Sequence, residues 1–255
     1  LANKLLAKMT SLQPDLIVFT GDFLFRSQLE DIDGLRHFLQ SCHAPLGCFA
    51  VLGNHDYARY VSVDTMGRYA EVLDSSSNTT RGWSQLFSTP VPPQGIFMPD
   101  LPNIPLHSSL LQLLKETPFH LLQNETLVIQ KDAQKIQITG LEEYSLGRLQ
   151  PHIAFERYDP HYPGIVLCHN PDAFPLLKAH PGDLLLAGHT HGAQLNLPWL
   201  RYRFLKLENP QWRRGLHRLD HKWVYINRGI GGLPTLRCFS PPELTLFHLT
   251  RQEKR

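Results

Sequence analysis

Four times in this chain a short apolar run ends directly in a side chain that can hold a metal ion. LIVF (16–19) is followed by Thr20-Gly21-Asp22, and CFAVL (48–52) by Gly53-Asn54-His55-Asp56. GIVLC (164–168) leads into His169-Asn170, and DLLLA (183–187) into Gly188-His189-Thr190-His191. Runs this short and this uniformly apolar read as strands buried on both faces, which requires helices packed over a largely parallel sheet. In open α/β sheets, sites form outside the carboxyl ends of strands. A lone histidine at a strand end is ordinarily structural, whereas four such ends together point to one site.

The remaining segments fit an α/β domain. Leu29, Ile32, Leu35, Phe38 and Leu39 recur at threes and fours, which predicts a helix between the first two strands. A second helix is expected from Tyr57 to Leu73. Residues 121–130 and 135–140, joined by Lys131-Asp132-Ala133-Gln134, read as a hairpin. WVYIN (223–227) and the alternating ELTLFHL (243–249) read as further strands. No internal repeat or linker divides the 255 residues, so one domain spanning 1–255 is expected. Residues 74–108, rich in Ser, Thr and Pro without a sustained period, are expected to form an insertion or lid. Its apolar residues Trp83, Phe87, Ile96, Phe97 and Met98 could cover acyl chains or dip into a membrane interface.

Composition narrows the function classes. A net charge of +2 offers no strong field for nucleic acid. The four cysteines show no C-x-x-C spacing and suggest no disulfide framework, in keeping with a reducing compartment. No run approaches the roughly 18 apolar residues that span a bilayer. LANKLLAKMTSL, with Leu1, Leu5, Met9 and Leu12 on one face, reads as the end of a helix, so an upstream segment that could carry an anchor is expected.

The donor types at the strand ends are mutually compatible. Asp offers oxygen, Asn a carbonyl oxygen and His neutral nitrogen, a mixture that suits Mn²⁺, Fe or Zn²⁺ better than Ca²⁺. Were the chain extended through His189-Thr190-His191, both imidazoles would project to one side with Cα atoms roughly 6–7 Å apart. That spacing suits two ions about 3.5–4 Å apart, each taking one histidine, with Asp22 as the bridging carboxylate. Gly188 and Gly192 would allow close approach. Paired ions at that distance serve hydrolysis of phosphate esters. His55 is the candidate general acid for the leaving oxygen, and Asp56 either orients its ring or caps the helix expected after it.

In that order, GD at 21–22, GNHD at 53–56, His169 and GHTH at 188–191 resemble the calcineurin-like binuclear metallophosphoesterases, over about residues 10–250. The resemblance implies an α/β/β/α sandwich with the site at strand ends and Asp22 bridging both metals. It further implies that Asn54, His169 and His189 complete one metal, that His191 serves the other and that His55 is catalytic. The family's D-x-H motif, on a strand upstream of the GD, is not in this sequence, so an N-terminal strand is expected to be missing from it.

IVLCHNPDAFPLL, LAGHTHGAQLNLP and YINRGIGGLPTLRCFSPPELTLFHL resemble a membrane-associated bacterial branch of that family. The branch implies hydrolysis of UDP-2,3-diacylglucosamine to UMP and 2,3-diacylglucosamine 1-phosphate in lipid A synthesis, with Mn²⁺, at the cytoplasmic side of the inner membrane. WLRYRFLKLENPQWRR (199–214) interleaves aromatics with Arg201, Arg203, Arg213 and Arg214, a composition suited to an anionic membrane surface or head group. Two alternatives stay open: a phosphodiesterase or phosphatase for soluble esters, and a metal-poor binding scaffold of the same fold.

Overall fold

The computed structural model describes residues 2–72, 89–193, 206–231 and 237–250. Helices Ala2–Leu12 and Ile32–Gln40 flank strand β1 (Ile17–Phe19), and β2 (Cys48–Ala50) follows. Asp31 opens the second helix by accepting the Gly34 N–H at 2.9 Å, the usual satisfaction of a free helical donor by a capping carboxylate. After β2 come β3 (Val61–Val63), β4 (Tyr69–Glu71), helix Ser108–Lys115 and β5 (Phe119–Leu121). The second half contains β6 (Glu125–Lys131), β7 (Gln134–Gly140), β8 (Gly164–Leu167), β9 (Leu184–Ala187), β10 (Gly215–Leu219) and β11 (Lys222–Ile226).

The strands form two main sheets. One is parallel, in the order β1-β2-β5. The other runs β10-β11-β9-β8-β7-β6, parallel at its centre with an antiparallel strand at each edge. Alternation along each strand divides the core in two. Phe49 and Val51 pack with Ile138, Ile165, Leu167 and Leu186 between the sheets. Their neighbours Cys48, Ala50, Val166 and Leu185 join Leu39, Leu110, Leu113 and Phe174 from the segments outside the sheets. This is sheet-on-sheet packing covered by helices, as expected. Because β1 parallels β2 and β8 parallels β9, the chain leaves all four strands at carboxyl ends, where the polar motifs stand.

Two expectations are overturned. No helix occupies the described residues 57–72 of the expected Tyr57–Leu73 helix: β3 and β4 form an antiparallel hairpin there, burying Val61, Val63 and Tyr69. Asp64 explains it, because its side chain accepts the N–H groups of Met66 and Arg68 and so offers the backbone a turn in place of a helix. ELTLFHL keeps its alternation, with Leu244 and Leu246 exposed and Phe247 packed on Tyr225, yet it is not a strand. Its first backbone N–H, at Glu243, bonds to the Gly229 carbonyl at 3.0 Å. Within the expected lid, residues 89–108 are packed against the body. Val91, Leu101 and Ile104 are buried, and Phe97 stacks on Tyr69 at 4.9 Å between ring centroids. Trp83 and Phe87 lie outside the described residues, whereas Ile96 and Met98 are exposed.

Candidate metal centre and its cleft

Asp22 reaches the site through a tight turn at the end of β1. Gly21 has φ +93°, and a Cβ there would stand 2.5 Å from the Gly53 nitrogen. A Cβ on Gly53 would stand 2.2 Å from Asp22 Oδ1 and 2.6 Å from His169 Cε1. These two glycines permit the close approach of backbone and donors, and at Gly188 a Cβ would stand 2.9 Å from Thr20 Oγ1. Gly192 packs instead against Ser240 and Arg228.

Asp56 fixes the same turn. Its buried carboxylate accepts the N–H groups of Asp22 at 2.7 Å, Leu24 at 2.9 Å and Gly53 at 2.9 Å. Burial and the Asp22 charge push its carboxyl up to about 7, against the pull of the backbone donors. Neither expected role for Asp56 holds. It does not bond the His55 ring, since all three of its partners are backbone amides, and it caps no helix, since none follows.

Around that turn four donor atoms converge. Asp22 Oδ2 lies 3.2 Å from His169 Nε2, His169 Nε2 lies 3.2 Å from His189 Nδ1, and His189 Nδ1 lies 3.0 Å from Asn54 Oδ1. Atoms bound about 2.1 Å from one ion stand roughly 3.0–3.4 Å apart in octahedral to tetrahedral geometry, so this set fits a divalent cation. The outer atoms of the same side chains orient the donors. His169 Nδ1 donates to the Thr20 carbonyl at 2.6 Å, which leaves the Nε2 lone pair facing inward. The Asn54 amide nitrogen donates to the Val61 carbonyl at 2.6 Å, which turns its oxygen toward His189. Burial, reinforced by His169, lowers His189 to about 3, so its imidazole is neutral and able to ligate. Burial also disfavours charge on His169, but the adjacent Asp22 carboxylate overrides it and holds the His169 pKa up.

His191 stands apart from this group. Its carbonyl accepts the Ser240 hydroxyl at 2.7 Å, and its Nδ1 lies 3.5 Å from an Arg237 guanidinium nitrogen. Burial lowers its pKa to about 4. The segment is not extended as expected: His189 and His191 hold φ of 65° and 48°, and the Thr190 N–H turns back to the Gly188 carbonyl at 2.7 Å. Thr190 anchors the turn by donating its hydroxyl to the Arg213 carbonyl at 2.6 Å.

His55 lies beside the donor cluster, with Nε2 3.9 Å from Asp22 Oδ2. The Arg26 backbone N–H donates to its Nδ1 at 2.8 Å, which places the ring proton on Nε2, facing the site. Tyr60 packs on the ring at 4.4 Å between centroids. Burial lowers the His55 pKa, with Asp22 opposing. A neutral imidazole carrying a proton on its inward nitrogen can act as a general acid.

A cleft of about 1260 Å³ opens over these groups, lined by Asp22, His55, His189 and His191, with Arg26 and Arg228 at its wall. Of the four arginines expected to bind substrate, Arg201 and Arg203 lie outside the described residues. Arg213 and Arg214 do not line the cleft, and the Arg214 side chain donates to the Phe239 carbonyl at 3.0 Å. Reading the sequence missed Arg26, Tyr60 and Arg237, whose places depend on turns and on contacts distant in the chain. Among the described residues no helix is long and apolar enough to cross a membrane, and all four cysteines are free.

Comparison with known proteins bears on the same residues. A family model described as calcineurin-like phosphoesterase matches residues 2–193. Proteins named UDP-2,3-diacylglucosamine pyrophosphatase LpxG from Chlamydia muridarum and Chlamydia trachomatis serovar D are each 40% identical over an aligned length of 259 residues, covering 96% of this chain and 77% of the relative. The phosphodiesterase YaeI of Escherichia coli K12 is 33% identical over 237 residues, covering 93% of this chain and 71% of the relative.

Proposed function

The chain belongs to the calcineurin-like phosphoesterase family and is a metal-dependent phosphohydrolase, and we propose that it hydrolyses UDP-2,3-diacylglucosamine to UMP and 2,3-diacylglucosamine 1-phosphate in lipid A synthesis. The observation that carries this reading is the 40% identity to two pyrophosphatases of that name across 96% of the chain. The convergent donors Asp22, Asn54, His169 and His189 support it.

In this reading Asn54, His169 and His189 would hold one divalent ion, His191 would serve a second and Asp22 would contribute to both. Two ions, Mn²⁺ by preference and Fe or Zn²⁺ as alternatives, would supply Lewis-acid activation of a water and charge neutralisation at the phosphoryl oxygens. Asp22 would be a ligand to both ions, and Asp56 keeps Asp22 in place through its backbone. His55 gives its Nε2 proton to the bridging oxygen as the P–O–P bond breaks, so the departing phosphate leaves with that oxygen. The water oxygen stays on the attacked phosphorus. The basic, aromatic stretch with Arg201, Arg203, Arg213 and Arg214 meets anionic head groups at the cytoplasmic face of the inner membrane.

The test is product analysis with Mn²⁺-loaded protein on UDP-2,3-diacylglucosamine and on bis(p-nitrophenyl) phosphate. Release of UMP, lost on His55→Ala, is the expected result. Turnover of the diester without UMP release would establish a second reading, a phosphodiesterase for soluble esters, which the 33% identity to YaeI favours.

A further inference from the structure

The turn after Asp22 presents a cation that the mechanism above leaves without a task. Phe25 and Gln28 close a tight turn through the Gln28 N–H to the Phe25 carbonyl at 3.0 Å. Its two central residues, Arg26 and Ser27, hold φ of 51° and 57°. Two successive left-handed residues are the mark of a turn usually made with glycine or asparagine, and Arg-Ser occupies it at a cost in backbone strain. The turn also buries the Ser27 hydroxyl without a partner. What it accomplishes is registration: the Arg26 N–H is bonded to His55 Nδ1, so the side chain of Arg26 issues from the very residue that positions the general acid.

The other charges in the cleft single out Arg26. Arg228 is engaged by Glu243, Nε to Oε2 at 2.7 Å, and Lys206 is also partnered. Arg26 has no carboxylate partner among the described residues, and its guanidinium carbon lies 5.3 Å from the centre of the Phe25 ring. Phe25 in turn stands 6.1 Å from the His55 ring. An uncompensated guanidinium that lines the same cleft as Asp22 and His55 is matched to an anion rather than to a metal.

The position identifies which anion. His55 protonates the leaving oxygen, so a cation tied to His55 stands on the leaving-group side of the phosphorus under attack. When the leaving group is a phosphate, negative charge accumulates on it as the bond breaks, and an adjacent guanidinium binds it more strongly in the transition state than in the ground state. An aryl or alkyl leaving group has no equivalent oxygens. We infer that Arg26 binds the second phosphate of the substrate and selects P–O–P over P–O–C linkages. This rests on the pyrophosphatase reading of the same site.

The test compares Arg26→Ala and Arg26→Lys with wild type, as Mn²⁺-loaded full chains, on UDP-2,3-diacylglucosamine and bis(p-nitrophenyl) phosphate. Both variants keep the backbone amide on His55, so the diester rate reports any damage to the general acid. For Arg26→Ala the ratio of pyrophosphate to diester kcat/KM should fall by about 10–100-fold, the size of a charge-assisted hydrogen bond, chiefly in kcat. Arg26→Lys should recover part of that ratio. An equal loss on both substrates, or none, overturns the assignment. If wild type cleaves the diester but not the P–O–P bond, the pyrophosphatase reading fails by itself. Inhibition of diester turnover by methylenediphosphonate against methylphosphonate then decides Arg26. A selectivity for the diphosphonate that falls by about tenfold or more in Arg26→Ala upholds it, and an unchanged selectivity overturns it.

Discussion

On one side of the candidate centre, four donor atoms from Asp22, Asn54, His169 and His189 stand 3.0 to 3.2 Å from their neighbours in the set. His169 and Asn54 are also tied to backbone carbonyls by their outer atoms. On the other side, His191 is steadied from outside, by Ser240 on its carbonyl and Arg237 at 3.5 Å from its ring. The first side is preorganised by the ends of β1, β2, β8 and β9. The second depends on Ser240 and Arg237, and near them Arg228 is held by Glu243. A preorganised set gives up little freedom when it captures an ion, so the two sides should differ in affinity.

The largest expected effect comes from Asp22, which the proposed function places between the two sides. Asp22→Ala should abolish turnover and remove ions from both positions, seen by elemental analysis after dialysis. Retention of two ions would break the comparison. Next comes His55→Ala, which should slow hydrolysis by about 10²–10⁴-fold with metal content near wild type. Loss of metal would make His55 a ligand instead of an acid.

A smaller contrast separates the sides directly. His191→Ala should keep one tightly bound ion per chain, and His169→Ala should lose it. The reverse order would mean that the external supports of His191 matter more than the donor cluster.

The smallest effect is pH-dependent. Burial raises the Glu243 pKa, but hydrogen bonds from Tyr225 and Arg228 outweigh it, and the folded value lies below the ordinary one. Its contribution to stability is therefore present above about pH 4.3 and lost as pH falls through the folded value. The melting-temperature difference between wild type and Glu243→Gln should shrink on acidification from pH 6 and correspond to under about 1 kcal/mol at neutral pH, given partial solvent exposure. A difference that widens in acid would show that Glu243 does not support the His191 side.

Much of the site was legible because each donor lies within a few residues of the strand that carries it. GD, GNHD and GHTH hold residue type and location in one short string; the apolar runs before them indicated an α/β sheet, and the family resemblance those strings carry implied the α/β/β/α architecture. The failures have local causes. From Tyr57 to Leu73, apolar spacing compatible with a helix concealed the Asp64 turn, although D-T-M-G is itself a turn signal. The reversal at His189–His191 depends on the Thr190 hydroxyl finding a carbonyl 23 residues away, which no local pattern encodes. Arg26 was not singled out, because its significance is its backbone bond to a ring 29 residues away.

Asp22, His189 and His191 share one more property: each has positive φ, at 62°, 65° and 48°. A left-handed L-residue costs about 1–2 kcal/mol, so all three side chains are delivered by bends the chain would locally avoid. Ions held by these side chains would act as rivets through three sprung hinges, and loading them should raise the melting temperature as well as confer activity. Glycine at His191 would relax one hinge, yielding a protein harder to melt yet poorer at capturing its second ion.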